Sequence, residues 1–504
     1  MKLIDLIIFL IYMLGITFFG ISFFRKNRNS SAFTLGNNTL PRWVISMSIF
    51  ATFVSSISFL ALPGIAYQSN WNAFVFSLTL PVASTIAILF FIPLYRKVGS
   101  PSAYTYLEQR FGPWARIYVS ICYLFTQLMR IGTILYLLAL LINALFGWNI
   151  ATIVLVTGII VALYSVLGGI RAVVWTDAIQ GILLICGALV CTVYLLIRLP
   201  EGPWQIFSIA HENQKFSLGS FHLDLSQSTF WVVLVYGVFI NLQNFGIDQN
   251  YIQRYMASKS EKDAKLAALS GSLLYIPVSM IFLFIGTALY AYYQSGAGVL
   301  PSELQHISQA DKVFPYFIVH GLPAGITGLL TASIFAAGMS TVSTSFNSSA
   351  TVFLTDFYKR YRKEAVSENN SMKVLYIASF LTCLLGIIIG IAMINVKSAL
   401  DAWWKLASVF SGGMLGIFLL GAFTRIQNSM IALTATILGI LTIIYLTVGP
   451  RVFGNEIPGG HLHGYLTIVI GTLAIFISGF LMAWLGRIPL NLLRRVVKSG
   501  KLGS

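Results

Sequence analysis

The chain has 504 residues, of which 57% are hydrophobic and only 10% are charged. Soluble proteins have about a quarter of their residues charged, so this composition excludes a soluble globular protein. Apolar runs of about 18 residues or more recur from one end of the chain to the other, which is typical of membrane-spanning helices. We therefore expect an all-α integral membrane protein that forms one transmembrane domain in a lipid bilayer.

The net charge of +16 would suggest a nucleic-acid partner in a soluble protein, but its distribution here argues for a membrane topology. We expect about 13 spans, at residues 4–24, 42–66, 72–95, 114–145, 149–167, 172–198, 229–250, 264–293, 322–357, 371–396, 400–424, 427–448 and 463–486. Alternate connections then carry 24 and 7 of the 32 lysines and arginines, and the larger group includes Arg116 and Arg254. Positive loops stay in the cytoplasm, so we expect a plasma or inner membrane protein with its N-terminus outside and its C-terminus inside.

Motifs for other classes of membrane protein are missing from the sequence. There is no G-x-x-x-x-G-K-[ST] phosphate loop, no H-E-x-x-H motif and no pair of intramembrane aspartates. These absences argue against an ATP-driven pump and against an intramembrane enzyme. A secondary transporter that uses no ATP, nucleic acid, cofactor or transition metal is the leading interpretation, and a channel or a substrate sensor is the alternative.

A run of small polar residues lies in the middle of the second expected span, at 51–59, and Pro63 and Gly64 follow it. Neighbouring serines weaken a helix because their hydroxyl groups compete for its backbone hydrogen bonds. Such a run can open the helix and turn free carbonyl oxygens toward an ion, as in the discontinuous helices of transporters. Serine-mediated packing between helices is the alternative interpretation.

A polar stripe occupies one face of the ninth expected span. Ser340, Ser343, Thr344 and Asn347 follow the spacing i, i+3, i+4 and i+7, which places them on the same side of a helix. Neutral hydroxyl and carbonyl oxygens at one depth suit a hard monovalent cation. The stripe therefore indicates an ion site, with helix packing as the alternative.

Two charged residues lie within spans. Asp177 is near the start of the sixth span, where a carboxylate often serves only as a partner of the helix dipole. Arg130 is close to the middle of the fourth span, where its charge costs at least about 2.5 kcal/mol. No carboxylate is expected at its depth, because Asp177 and Asp248 both lie toward the inside. We therefore expect an anionic solute to pair with Arg130, since a guanidinium group binds a carboxylate through two parallel hydrogen bonds.

Four segments, in this order and at these depths, resemble the sodium/solute symporter family over nearly the whole chain. They are residues 102–111, 168–180 and 248–255, and the polar stripe with Phe346, Asn347 and Ser348. The likeness is strongest to bacterial sialic acid/sodium symporters. It implies a LeuT-type core of two inverted five-helix repeats at 42–424, an extra helix and loop at 1–41, and two helices and a basic tail at 425–504.

The same resemblance implies two sites for sodium, the coupling ion. The main site would use the backbone carbonyls of Ala51, Val54 and Ala337 with the hydroxyl groups of Ser340 and Thr341. The second site would use Asp177, Ser340, Ser343 and Thr344.

For the substrate, the resemblance implies that Arg130 binds a carboxylate and that Ser55, Ser56 and Ser58 bind hydroxyl groups. Phe53 and Ser77 are also expected to bind the substrate, and they stand where sialic acid symporters carry Thr and Gln in the pocket. The implied function is sodium-coupled import of a small anionic solute by a monomeric unit, with N-acetylneuraminate and two sodium ions as the leading interpretation. Pantothenate, a monocarboxylate, a sugar or an amino acid such as proline are the alternative solutes.

Overall fold

The computed structural model describes residues 3–305, 310–362, 365–395, 399–454 and 458–485. Within these ranges the regular structure is helical, without strands, which confirms the predicted all-α class. The basic tail predicted at the C-terminus lies outside the described residues beyond 485. In chain order the helices are α1 (Leu3–Ile21), α2 (Ser30–Leu35), α3 (Arg42–Phe53), α4 (Ser56–Gln68), α5 (Phe74–Leu78), α6 (Leu80–Ile86), α7 (Ile92–Val98), α8 (Thr105–Phe111), α9 (Pro113–Phe146), α10 (Ile150–Ile197), α11 (Trp204–Glu212), α12 (Phe230–Ile247), α13 (Gln249–Ala257), α14 (Glu261–Gln294), α15 (Ala310–His320), α16 (Ile326–Val352), α17 (Lys359–Tyr361), α18 (Glu368–Ala392), α19 (Ala399–Phe423), α20 (Ser429–Phe453) and α21 (Leu466–Leu485).

The number of membrane spans depends on how the longest helix is counted. Among the described residues, ten helices are long and apolar enough to cross a membrane, and a bent pair raises this number to 11. α10 has 48 residues, a length of about 72 Å, which is more than twice the ~30 Å thickness of the hydrocarbon core. Only if α10 is counted as two spans and α19 is added does the number reach the expected 13, which stays a prediction.

α10 changes direction at Gly169, where the backbone has φ 58° and ψ −160°. Residues other than glycine are strained in this conformation. The side-chain amide of Asn27 supports the turn, because its Nδ2 atom donates a hydrogen bond of 3.1 Å to the carbonyl oxygen of Leu167. The turn divides α10 into two segments.

A broken helix lies where the serine run predicts one. α3 ends at Phe53, and Val54 and Ser55 have an extended backbone before α4 begins at Ser56. The axes of α3 and of the part of α4 from Ser58 onward meet at 53°. The last carbonyl groups of α3 have no partner within their own helix, as at every helix end. The predicted opening of this helix is therefore confirmed.

α16 lies at the centre of the bundle, and nearly all of its side chains are buried. It packs against α10, α9, α1 and α18. The Asp5 carboxylate on α1 caps its first turn, since Oδ1 accepts hydrogen bonds from the backbone N–H groups of Gly325 (2.7 Å) and Gly328 (3.0 Å). A carboxylate at this position also interacts favourably with the helix dipole.

The other end of α16 joins a network of charges. Asp356, fully buried just beyond α16, accepts hydrogen bonds from Ser102 and Ser120 and pairs with Arg116 at 2.6 Å. Glu108 on α8 pairs with the same arginine, also at 2.6 Å. Arg116 is therefore a buried structural residue, which corrects its assignment to a loop. This side of the bundle is called the α8 end, and the side with α11 is called the α11 end.

Replacing Gly169 with Ala should destabilise the protein. A Cβ atom there would lie 2.9 Å from Oδ1 of Asn27 and 3.0 Å from Cα of Phe33. The strained backbone adds a cost of about 1–3 kcal/mol. We expect the melting temperature of the detergent-purified protein to fall by about 1–3 °C, since the unfolding entropy grows with chain length. Gly147→Ala is the matched control, because φ is 70° there and no atom lies within 4 Å of the new Cβ. An equal fall in both variants would contradict a role for the close contacts at Gly169.

Candidate functional site

The broken helix brings backbone oxygens from α3 next to hydroxyl groups from α16. The hydroxyl of Ser340 lies 3.4 Å from the carbonyl oxygen of Ala51. One turn earlier on α16, the carbonyl oxygen of Ala337 accepts a hydrogen bond of 3.2 Å from Thr341 Oγ1. Val54 is fully buried at the break itself, where its backbone is extended. Four of the five residues predicted for the main sodium site are thus joined in two contacting pairs, and the fifth lies at the adjacent break.

The residues predicted for the second sodium site cluster around Asp177. This carboxylate is fully buried, and its Oδ1 accepts a hydrogen bond of 2.7 Å from Ser340. The hydroxyl of Ser343 donates to the carbonyl oxygen of Ser340 at 3.0 Å. Ser340 therefore contacts both predicted sodium sites. An Asp at this position with three hydroxyl groups has the hard oxygen ligands that suit sodium.

A positive side chain that the sequence analysis placed in a loop occupies the same cluster. Arg254 on α13 is fully buried, and its Nη2 atom lies 2.5 Å from Oδ2 of Asp177. The guanidinium also donates to Thr344 Oγ1 and Ser48 Oγ, both at 2.7 Å. Ser48 in turn donates to Asp177 at 2.6 Å. The assignment of Arg254 to a loop was wrong, because α13 folds back into the bundle after α12 ends.

A large cavity reaches from these helices to the α11 end. Its volume is about 1060 Å³, and its walls include Arg130, Phe53, Ser55, Ser58 and Ser77, five of the six residues predicted to bind substrate. Loop residues between α11 and α12 line its mouth. The sixth, Ser56, is fully buried and does not line the cavity, and its hydroxyl oxygen makes no hydrogen bond with the residues that the structure describes.

Arg130 has a carboxylate neighbour within the cavity. Its Nη1 atom lies 3.8 Å from Oδ2 of Asp248, the residue that joins α12 to α13. The expectation that no carboxylate reaches the depth of Arg130 was therefore wrong, since the end of α12 is tucked into the bundle. A separation of 3.8 Å balances the charge but is too long for a hydrogen bond. The guanidinium thus keeps N–H donors for a ligand in the cavity.

An aromatic wall stands opposite these charges. The Phe53 ring packs edge-on against Tyr275, with centroids 4.5 Å apart, and also contacts Phe245 and Phe76. The polar groups and the aromatic surface give the cavity both hydrogen-bond donors and an apolar face, the composition usual for small-molecule sites.

Comparison with known proteins shows which family this chain resembles. A model of the sodium:solute symporter family matches residues 33–439. The sodium/sialic acid symporter NanT of Aliivibrio fischeri is 30% identical over 483 residues, 95% of this chain and 93% of that protein. The sodium/sialic acid symporter SiaT of Proteus mirabilis is 30% identical over 479 residues, with 94% and 93% covered.

The fold has a similar solved structure. A Na⁺-coupled sialic acid symporter in a substrate-bound, outward-open state superimposes with a TM-score of 0.89 at 28% identity, covering 96% of this chain and 98% of that one. This likeness confirms the predicted LeuT-type fold. The protein is a multi-pass membrane transporter and not an enzyme. The chain belongs to the sodium:solute symporter family.

Proposed function

We propose that the protein is a symporter that imports a sialic acid, N-acetylneuraminate, together with two sodium ions. The observation that carries this proposal is the placement of Arg130 and the hydroxyl groups of Ser55 and Ser58 on the wall of one cavity of about 1060 Å³. Arg130 binds the carboxylate of the sugar acid through paired hydrogen bonds, and the serines bind its hydroxyl groups. The two relatives that are sodium/sialic acid symporters support the same substrate.

The orientation proposed for the chain follows from its charges. The α8 end, with Arg110 and Arg360, faces the cytoplasm because positive loops stay inside. The α11 end then faces outward, and the cavity opens to the side from which the solute is taken up. The N-terminus lies on the outer, non-cytoplasmic side of the inner membrane. A single chain contains both the cavity and the proposed ion sites.

Two sodium ions with one monoanion carry a net charge of +1 inward. If the whole charge crosses the membrane, each 100 mV contributes about 2.3 kcal/mol to accumulation. Since 1.4 kcal/mol corresponds to a factor of ten, this raises the attainable solute gradient by roughly fifty-fold. With a single sodium ion, transport would be electroneutral, and the membrane voltage would not contribute to accumulation. The oxygen cluster around Asp177 supports the second ion.

The proposal is tested by uptake into proteoliposomes made with the purified chain. We expect saturable accumulation of radiolabelled N-acetylneuraminate with an inward sodium gradient, increased by an inside-negative potassium diffusion potential. Unlabelled proline, pantothenate, pyruvate or glucose should leave this uptake unchanged. Inhibition by one of these solutes instead would assign the substrate to that class, and flux that never exceeds equilibration would indicate a channel.

Substitution of Arg130 should abolish substrate binding. Arg130→Ala removes the counter-charge for the carboxylate, and Arg130→Lys keeps the charge but not the paired hydrogen bonds. We expect N-acetylneuraminate affinity, measured by calorimetry in sodium buffer, to fall at least about 100-fold in the first variant and nearly as far in the second. Arg198→Ala, at an exposed arginine beside Tyr194, is the control and should bind normally. Normal affinity of the Arg130→Ala variant for N-acetylneuraminate would mean that Arg130 has a purely structural role.

Loss of a hydroxyl from the main sodium site should weaken sodium binding. Ser340→Ala and Thr341→Ala each remove one predicted ligand, so half-maximal substrate binding should need several-fold more sodium, through linkage. Ser349→Ala on the same helix is the matched control, because its buried hydroxyl makes no hydrogen bond in the structure. If the sodium dependence of both site variants equals that of the control, these hydroxyl groups serve packing alone.

A further inference from the structure

Two ion pairs lie between the cavity and the polar face of α16. Arg130 pairs with Asp248 at 3.8 Å, and Arg254 pairs with Asp177 at 2.5 Å. Within the described part of the chain, neither arginine forms an ion pair with any other carboxylate. The first pair lines the cavity, whereas the second is sealed within the bundle. Each pair is neutral, so the four charges cancel.

α13 connects the two pairs. Asn250, the second residue of α13, donates its backbone N–H to Oδ1 of Asp248 at 2.8 Å, and its carbonyl oxygen accepts a hydrogen bond of 2.6 Å from Nη1 of Arg254. Arg254 is therefore paired with Asp177 and linked to Asp248 through the backbone of Asn250.

We propose that Arg130, Asp248, Arg254 and Asp177 form a chain of alternating charges that couples anion binding at Arg130 to binding of the second sodium ion at Asp177. This inference rests on the proposed second sodium site. A carboxylate bound at one end of the chain and a sodium ion bound at the other extend the alternation. Every charge then keeps neighbours of opposite sign.

Sodium and Arg254 compete for the same carboxylate. A sodium ion added to Asp177 with Arg254 in place would leave two cations facing one carboxylate in a buried site, which is unfavourable. Movement of Arg254 toward Asp248 removes this conflict and frees the oxygens of Ser48 and Thr344 that it contacts.

The anion makes the movement of Arg254 favourable. When Arg130 turns its guanidinium to a bound carboxylate, Asp248 loses part of its compensation and attracts Arg254 more strongly. Asp177 is then left with unbalanced negative charge, which favours sodium. By linkage, sodium at Asp177 favours the anion at Arg130 to the same extent. Asp248 acts here as a positioning residue, since its effect on the anion passes through Arg130 and its effect on sodium passes through Arg254.

The test measures how N-acetylneuraminate affinity depends on sodium concentration. Calorimetry on the purified full chain, with choline chloride holding the ionic strength constant, gives the slope of log affinity against log sodium concentration below saturation. We expect a slope of about two for the wild type and about one for Asp248→Asn, since only one ion stays coupled to the anion. Asn also caps helices, so this substitution removes the charge and keeps the capping hydrogen bond at α13.

The Asp248→Asn variant should also bind the anion several-fold more tightly than the wild type at low sodium, because Arg130 has lost its competing carboxylate. Asp248→Glu restores the charge and should restore the slope of about two. Asp248→Ser, a second uncharged capping residue, serves if the Asn variant does not fold. Asp263→Asn, in the first turn of α14, is the control for an acid outside the chain of charges.

The outcomes separate this inference from the function on which it rests. A slope of about two in both uncharged variants at Asp248 would overturn the coupling and leave the second sodium site intact. A slope of about one in the wild type would mean that only one sodium ion is coupled to the anion, which overturns the inference, and the voltage dependence of uptake in proteoliposomes then decides whether a second ion is carried. Uniformly weaker binding with an unchanged slope would give Asp248 a structural role only.

Discussion

The buried ion pair between Asp177 and Arg254 determines how four helices are arranged. Removing two such charges from water costs several kcal/mol per ion, and close partners must offset this cost. Asp177 on α10 is compensated by Arg254 on α13 and by hydroxyl groups of Ser48 on α3 and Ser340 on α16. A shift of any of these helices alone would leave a buried charge with fewer partners. The four helices therefore move together unless another ion replaces one partner.

The sequence predicted much of the site because polar residues are rare at membrane depth, and those present have specific positions. The serine run at 51–59 predicted the break between α3 and α4, and the polar stripe predicted the face of α16 that meets Asp177. Its periodicity was enough to identify that face, because residues at i, i+3, i+4 and i+7 lie on one side of a helix.

The partners of the charges were not predictable in the same way. Arg254 follows the end of a span and has the appearance of a loop arginine, yet α13 folds back and buries it completely. The same fold carries Asp248 to Arg130. Hydropathy locates spans along the chain but does not reveal how a short polar helix between two spans packs. The polar segment 248–255, with an acid, two glutamines and an arginine, was the available signal for a buried helix.

In the proposed function, the pairing of Arg130 with Asp248 also changes how the cavity selects solutes. An arginine without a carboxylate partner would attract any anion. An arginine paired with Asp248 favours only anions that interact with it more strongly than Asp248 does. A solute must then satisfy the remaining N–H donors and also pack against the aromatic wall of Phe53 and Tyr275. Selectivity depends on the shape of the solute as well as on its charge, because rejection of poor partners is as important as attraction.

The two ends of α16 are both anchored, and this limits which parts of the molecule rearrange during transport. At the α11 end the carboxylate on α1 holds its first turn, and at the α8 end Asp356 is held by Arg116, Ser102 and Ser120. Both ends of α16 are therefore tied to side chains of neighbouring segments. The 53° break between α3 and α4 lies beside α16, next to the oxygens proposed to bind sodium, and it is a point where the chain can bend without disrupting a regular helix.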